Sequence, residues 1–301
     1  LSNFILIFIC LFSGMLMKRW GKLPPLSHRS INAWIIYIGL PAIAFRYLPY
    51  IQWSRNMLIP AISPVVIWIC AWVYIRMYAK LTALDRKTEG GLKLGAGLSN
   101  TSFVGFPLII AYFGEEYLSI GVICDQVTYC LLSTAGIIVA IYSSKRDALS
   151  VKSLLRRLLV FPPFIATVLA LSVCRLIDMD PLLPLLNSLG SIVAPLALFS
   201  IGLQLQFSGW KKEIRHIGTV LLYKLAIAPA IVLTLLVLLQ AKGPVPQVTA
   251  FEAAMPSFVS SAIVAEQYDL NPRLLNQVIG VSILIGLVTT GVWYVVIRHF
   301  L

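Results

Sequence analysis

The sequence predicts an all-α membrane protein of ten transmembrane helices, arranged as two inverted five-helix repeats with broken crossover helices 4 and 9. Three observations predict it. The first is composition: 59% of the 301 residues are hydrophobic, only 12% are charged, and the mean hydropathy is +0.88. Soluble domains carry about 25% charged residues, so lipid must replace water around most of this chain. The second is a one-sided distribution of basic residues, and the third is an internal repeat.

A membrane-spanning helix needs about 20 mostly apolar residues, and the chain divides into ten such stretches: 3–17, 30–48, 57–79, 91–113, 117–142, 154–174, 185–206, 216–240, 247–268 and 274–297. The first is read as a span and not as a cleaved leader, because no small-residue cleavage site follows it. The net charge of +12 comes from 24 Lys and Arg against 12 Asp and Glu. In a soluble protein it would raise the question of nucleic acid. Here the odd-numbered breaks hold 18 of the basic residues, among them Lys18, Arg19, Lys22, Arg29, Lys145, Arg146, Lys152, Arg157, Lys211 and Lys212, and the other side holds 4. That asymmetry puts the odd breaks in the cytoplasm and both termini outside, and it removes the case for nucleic acid. The five cysteines show no paired spacing and read as free thiols.

The repeat has an offset of about 155 residues. Asn32, Pro41 and Phe45 recur as Asn187, Pro195 and Phe199, the triplet Ser102-Phe103-Val104 as Ser257-Phe258-Val259, and Thr134 and Gly136 as Thr289 and Gly291. Five spans per repeat is an odd number, so the halves, residues 1–145 and 152–301, cross the membrane in opposite senses. Inverted repeats of this kind are typical of secondary transporters.

Spans 4 and 9 carry the signals of broken helices. Gly105-Phe106-Pro107 predicts a break in span 4, since proline removes a backbone donor and clashes with the preceding turn. Met255-Pro256-Ser257 predicts one in span 9. Unwound backbone at membrane depth must be buried in protein or line a polar cavity, and the free N–H groups of a second half-helix suit a carboxylate. Asn100, Thr101, Ser102 and Ser257 lie beside the breaks as further hydrogen-bonding groups. Pro41, Pro64, Pro195 and Pro229 read as simple kinks. Among ionisable residues within spans, Asp125, followed by Gln126, is the candidate proton- or ion-responsive group, and Lys224 is its candidate counter-charge, with snorkelling to the interface as the plainer reading. Arg46, Glu252 and Glu266 are expected near the interface, and Trp20, Trp53, Trp210 and Trp293 in the aromatic belts.

With these residues in hand, the sequence resembles the auxin efflux carrier family, which contains plant PIN proteins and bacterial malate- and malonate-type permeases. The resemblance runs end to end. It is carried by I-N-A-W-I-I-Y-I-G-L-P-A-I-A-F in span 2, by S-N-T-S-F-V-G-F-P-L in span 4, by K-L-A-I-A-P around Lys224, and by A-A-M-P-S-F-V-S-S-A-I-V-A-E-Q-Y-D-L-N-P across span 9. It implies a fold similar to bile acid sodium symporters, with spans 1, 2, 6 and 7 as scaffold and spans 3–5 and 8–10 as a mobile transport domain. It also implies an elevator-like movement, a homodimer through the scaffold, Asn100 as a carboxylate-binding group, and Pro107 and Pro256 as crossover prolines. Asp125 and Gln126 fall where the family places polar groups. The long hydrophilic loop of many plant members is reduced here to Ser143–Ser153, as in a compact prokaryotic-type carrier. Pro107 follows Ser102 by five residues whereas Pro256 precedes Ser257 by one, so the two halves differ at their breaks.

The expected function is secondary active or facilitative transport of small organic anions, dicarboxylates or auxin-like acids, across the cytoplasmic membrane by alternating access. Substrate would be held by Asn100, Thr101, Ser102, Gly105, Pro107, Met255, Pro256 and Ser257, with coupling or charge compensation from Asp125, Gln126 and Lys224. No cofactor is expected beyond a coupled proton or sodium ion. The alternatives are a ligand sensor on a carrier fold and a sodium-coupled symporter of the bile-acid type. An intramembrane enzyme is disfavoured: His28, His216 and His299 lie at loops or ends, and no metal-ligand spacing or nucleophile–base pair falls within a span.

Overall fold

The computed structural model describes residues 2–51, 55–144, 156, 159–205 and 213–301. Lys145, Arg146, Lys152, Arg157, Lys211, Lys212, Trp53 and Trp210, with most of the Ser143–Ser153 connection, lie outside these residues. Among the described residues there is no β-strand, and the extended pairing is confined to one antiparallel bridge between Ser99 and Ser257.

Among the described residues, five helical stretches are long and apolar enough to cross a bilayer: Arg55–Thr82, Glu115–Ser144, Asp180–Gln204, Ile214–Leu238 and Pro272–Phe300. Their outward faces leave large apolar side chains uncovered, including Ile69, Trp72 and Val73 in one and Val288, Val292 and Val295 in another. Faces of this kind need a lipid solvent, so the chain is a multi-pass helical membrane protein. The remaining apolar segments are shorter or interrupted.

In chain order, α1 spans Ser2–Arg19, α2 Ser27–Trp34, α3 Leu40–Tyr47, α4 Leu58–Thr82, α5 Arg86–Gly97, α6 Phe106–Tyr112, α7 Leu118–Leu131 and α8 Ile137–Ser144. In the second half, α9 is Pro162–Leu171, α10 Leu183–Ser191, α11 Val193–Gln204, α12 Ile214–Leu222, α13 Ala228–Leu238, α14 Pro244–Ala253, α15 Ser260–Tyr268 and α16 Pro272–Phe300. Two packing groups result. In the first, α1 lies along α11, α2 packs on α11, and α3 on α9 and α10; in the second, α4 packs on α5, α7 and α14, α5 on α8 and α16, and α15 on α8 and α16. Glycine sets the closest contact of the first group. A Cβ on Gly14 would lie 2.2 Å from the Phe199 carbonyl oxygen, and one on Gly202 2.2 Å from that of Leu11, so α1 and α11 meet backbone to backbone.

Among the described residues, four π-turns interrupt the helices, at Ile35–Gly39, Thr101–Gly105, Leu132–Gly136 and Tyr223–Ile227. Three of them end two residues before a proline: Pro41, Pro107 and Pro229. The proline ring clashes with the carbonyl four residues earlier and offers that carbonyl no N–H, and a widened turn relieves both faults. At Pro229 the freed carbonyl is that of Leu225, and Trp293 Nε1 donates to it at 2.7 Å. Trp293, expected in an aromatic belt, therefore satisfies a backbone group inside the bundle, and Pro41 and Pro229 mark π-turns where plain kinks were expected.

Candidate functional site

Span 4 is interrupted between α5 and the π-turn that leads into α6, and span 9 between α14 and α15. Leu98 has extended backbone angles (φ −112°, ψ 127°), and Asn100 N–H donates to the Pro256 carbonyl at 2.8 Å while Phe258 N–H donates to the Leu98 carbonyl at 3.0 Å. The two unwound segments thus exchange the backbone hydrogen bonds that their helices give up, which meets the requirement that buried peptide groups be paired. Ser257 N–H is taken by Ser282 Oγ at 3.1 Å.

The break in span 9 falls at Met255, Pro256 and Ser257, as expected. The break in span 4 does not fall at Gly105–Pro107. It lies at Leu98–Asn100, and Gly105 to Pro107 are helical, Gly105 closing the π-turn with its N–H on the Asn100 carbonyl at 3.0 Å. The residue facing Ser257 is Ser99, three residues before the Ser102 that the internal repeat aligns with it.

The side chains at this crossing are buried and sparsely partnered. Asn100 is 0% exposed and neither its Oδ1 nor its Nδ2 has a hydrogen-bond partner; Ser257 Oγ and Gln126 Oε1 are likewise buried and unpartnered. Thr101 Oγ1 donates to Asp125 Oδ1 at 2.8 Å, tying the π-turn of span 4 to α7. Lys224, on the π-turn of Tyr223–Ile227, is 0% exposed and its ammonium donates to Ser99 Oγ, so it reaches inward to the crossing and does not snorkel. Ser102 and Met255 are buried beside these groups, and Pro107 lines a smaller space described below.

Glu252 is the site residue that sequence reasoning misplaced. It is the penultimate residue of α14 and is buried, with both carboxylate oxygens lacking a hydrogen-bond partner. A Cβ built on Gly105 would lie 2.4 Å from Glu252 Oε1 and 2.9 Å from Oε2, so the carboxylate fills the space that this glycine leaves open. The signal was present in length: α14 has ten residues. At 1.5 Å per residue it reaches about 15 Å, half of a ~30 Å hydrocarbon core, so its last turn is deep in the membrane. Arg46, expected near the interface, makes an exposed ion pair. Its guanidinium meets Glu115 Oε2 at 3.0 Å, and Tyr47 Oη donates to the same oxygen at 3.4 Å, joining α3 to the turn between α6 and α7. Glu266 is exposed, as expected, 3.9 Å from Arg29.

A cavity of about 840 Å³ opens beside the crossing, between α1, α2 and α11 on one side and the π-turn of span 4 and α15 on the other. Lys18, His28 and Arg29 stand at its mouth, and Phe103, Val259 and Ser260 at its floor. A smaller cavity of about 140 Å³, lined by Asn3, Arg46, Glu115 and Pro107, lies toward the opposite end of α1.

A multi-pass membrane protein in which two interrupted helices bring buried, unpartnered polar groups together beside a wide vestibule belongs to the class of membrane transport proteins. Comparison with known proteins gives the same result. The family described as "Membrane transport protein" matches residues 2–294, so the chain belongs to that family, the auxin efflux carrier group. It is 28% identical over 300 residues to an "Uncharacterized transporter" of Methanocaldococcus jannaschii, with 96% of each chain covered. It is 25% identical to an "Uncharacterized transporter" of Methanothermobacter thermautotrophicus, covering 97% of this chain and 96% of the relative. It is 23% identical to a "Putative malonate transporter" of Rhizobium meliloti, covering 95% and 92%.

Proposed function

We propose that the chain is a carrier of small carboxylate anions that works by elevator-type alternating access across the cytoplasmic membrane. The observation that carries the reading is the crossing itself: Asn100 and Ser257 present buried hydrogen-bonding atoms with no partner in the protein. A buried polar group without a partner costs roughly 1–3 kcal/mol, and a bound carboxylate supplies acceptors for the Asn100 amide N–H, for the Ser257 hydroxyl and for the N-terminal N–H groups of the second half-helices. Lys224 offsets the substrate charge, and Asp125 holds Thr101 and the π-turn in place. The malonate named for one relative falls in this chemical class.

In this reading α1–α3 and α9–α11 are the scaffold, and α4–α8 with α12–α16 move against it. The excess of basic residues assigns the Lys18, His28 and Arg29 end to the cytoplasm, so the large cavity is a cytoplasmic vestibule and the Arg46–Glu115 contact closes the opposite side. Lys18 and Arg29 bring positive charge to this cavity, with Glu266 3.9 Å from Arg29, and leave it a net attraction for anions. The test is ligand-induced thermal stabilisation of the purified protein by a panel of mono- and dicarboxylates, at two pH values, with and without sodium. A saturable stabilisation by a carboxylate is expected; indifference to the whole panel would refute the substrate class.

A further inference from the structure

The buried charges at the crossing do not balance as they stand. Lys224 is one cation, and Glu252 lies within electrostatic range both of it and of Asp125, so one basic and two acidic groups share the buried crossing. Asp125 has a donor in Thr101. Glu89, the third buried acid among the described residues, is paired with Lys93 at 2.7 Å and Arg76 at 2.9 Å. Glu252 alone among these three has neither a donor nor an ion pair. It also sits in the last turn of α14, at the negative end of the helix dipole, where a second negative charge is least tolerated. An ionised carboxylate there would have the field of Lys224 at a distance, but neither the hydrogen bond given to Asp125 nor the ion pairs given to Glu89.

We propose that Glu252 is the proton carrier of the transport cycle, holding one proton whenever a substrate carboxylate occupies the crossing. The proposal rests on the carboxylate-carrier reading and names its coupling group. The balance is one of charge. With Glu252 neutral, Lys224 and Asp125 cancel, and the substrate carboxylates enter a site of no net charge. With Glu252 ionised, the substrate would meet a site already negative. The proton comes from water on one side of the membrane, rests on a Glu252 oxygen, and returns to water on the other side as the substrate leaves. Asp125 stays the anion, its Oδ1 accepting from Thr101 Oγ1.

The titratable groups that face Glu252 are few. Asp125 and Cys124 approach from α7 and Lys224 from span 8. From α4, Tyr74 and Cys70 lie beside Tyr223, next to Lys224 in the chain. From α6 and α16, Tyr112 and Tyr294 surround Phe251. Gly105 is the complement of the carboxylate, since any larger residue would occupy the position of its oxygens.

Two readouts test the proposal on the full-length protein. The first needs no substrate: infrared spectroscopy of wild type and Glu252→Gln over a pH series. The wild type is expected to show on the acid side the carbonyl stretch of a protonated carboxylic acid that disappears as pH rises, since the empty carrier must be able to release its proton. The band is absent in Glu252→Gln and kept in Asp125→Asn. Its absence from the wild type, or its loss in Asp125→Asn instead, overturns the proposal. The second is malonate binding and counterflow in sodium-free proteoliposomes. One proton taken up per substrate makes the apparent Kd weaken about tenfold per pH unit on the alkaline side. Glu252→Gln is expected to bind and exchange malonate with no pH slope, and to lose accumulation driven by a pH gradient. A slope that survives in Glu252→Gln, or a sodium dependence in place of the pH slope, overturns the proposal and leaves the carrier reading intact. If wild type neither binds nor exchanges carboxylates, the carrier reading fails, and the infrared band still decides whether Glu252 holds a proton.

Discussion

Truncating Asn100 separates a ligand-binding role from a structural one, because the two roles predict opposite signs. The side chain is 0% exposed and neither amide atom has a partner. Its backbone is held independently, by the N–H on the Pro256 carbonyl and by the carbonyl under Gly105 N–H, and both bonds survive in Asn100→Ala. The φ of −83° and ψ of 69° are open to alanine. Deleting an unpartnered amide removes a desolvation penalty of about 1–3 kcal/mol, partly offset by the small void left behind. The substrate-free variant should therefore unfold at the wild-type temperature or a few degrees higher. Binding should move the other way. Hydrogen bonds to a charged group contribute about 1.5–3 kcal/mol, which at 1.4 kcal/mol per tenfold weakens carboxylate binding about 10- to 150-fold. Calorimetry of malonate binding, with a thermal melt of the same preparations, measures both. A variant that melts lower and binds normally would refute the assignment of Asn100 to the substrate.

Three further predictions follow from the same contacts. Gly202→Ala forces a methyl to within 2.2 Å of the Leu11 carbonyl, a contact between two backbones that neither helix can relieve by a rotamer change; a loss of about 1–3 kcal/mol is expected, read as a lower melting temperature in detergent. Trp293→Phe leaves the Leu225 carbonyl without its donor, with an expected cost of about 1–3 kcal/mol and altered transport, since Leu225 adjoins Lys224 on the same π-turn. Asp85 caps α5 by accepting from Lys87 and Thr88 N–H; burial opposes its ionisation, but these bonds outweigh it and hold the carboxyl below its ordinary value. Its contribution is therefore full above the unfolded-state value and fades as pH falls through the lower folded-state one. Asp85→Ala should cost about 0.5–2 kcal/mol near neutral pH, with the difference from wild type vanishing in acid melts.

The apolar stretches and the presence of breaks in spans 4 and 9 were legible because composition and proline are local properties. The position of the first break was not. Leu98-Ser99-Asn100 contains neither glycine nor proline, and what unwinds it is pairing with Pro256 and Phe258, about 158 residues away in sequence. Pro107 acts on the turn before it, so its trace in the structure is a π-turn and not an interruption. Asp125 and Lys224 were found by the rule that intramembrane charge is functional, and the structure brings Lys224 to the crossing through Ser99 and Asp125 through Thr101. Glu252 escaped the same rule because its depth was judged from an unbroken span of about 20 residues. A helix that stops after ten places its last turn near the bilayer centre, and only knowing that it stops there reveals the depth.

The most direct test of the central claim is counterflow: proteoliposomes loaded with unlabelled malonate, diluted into a trace of labelled malonate with no ion gradient. A carboxylate carrier with a single alternating site gives a transient accumulation of label above the equilibrium level, reduced in Asn100→Ala. Equilibration no faster than in protein-free liposomes, for malonate and for every other small carboxylate tried, would contradict the account.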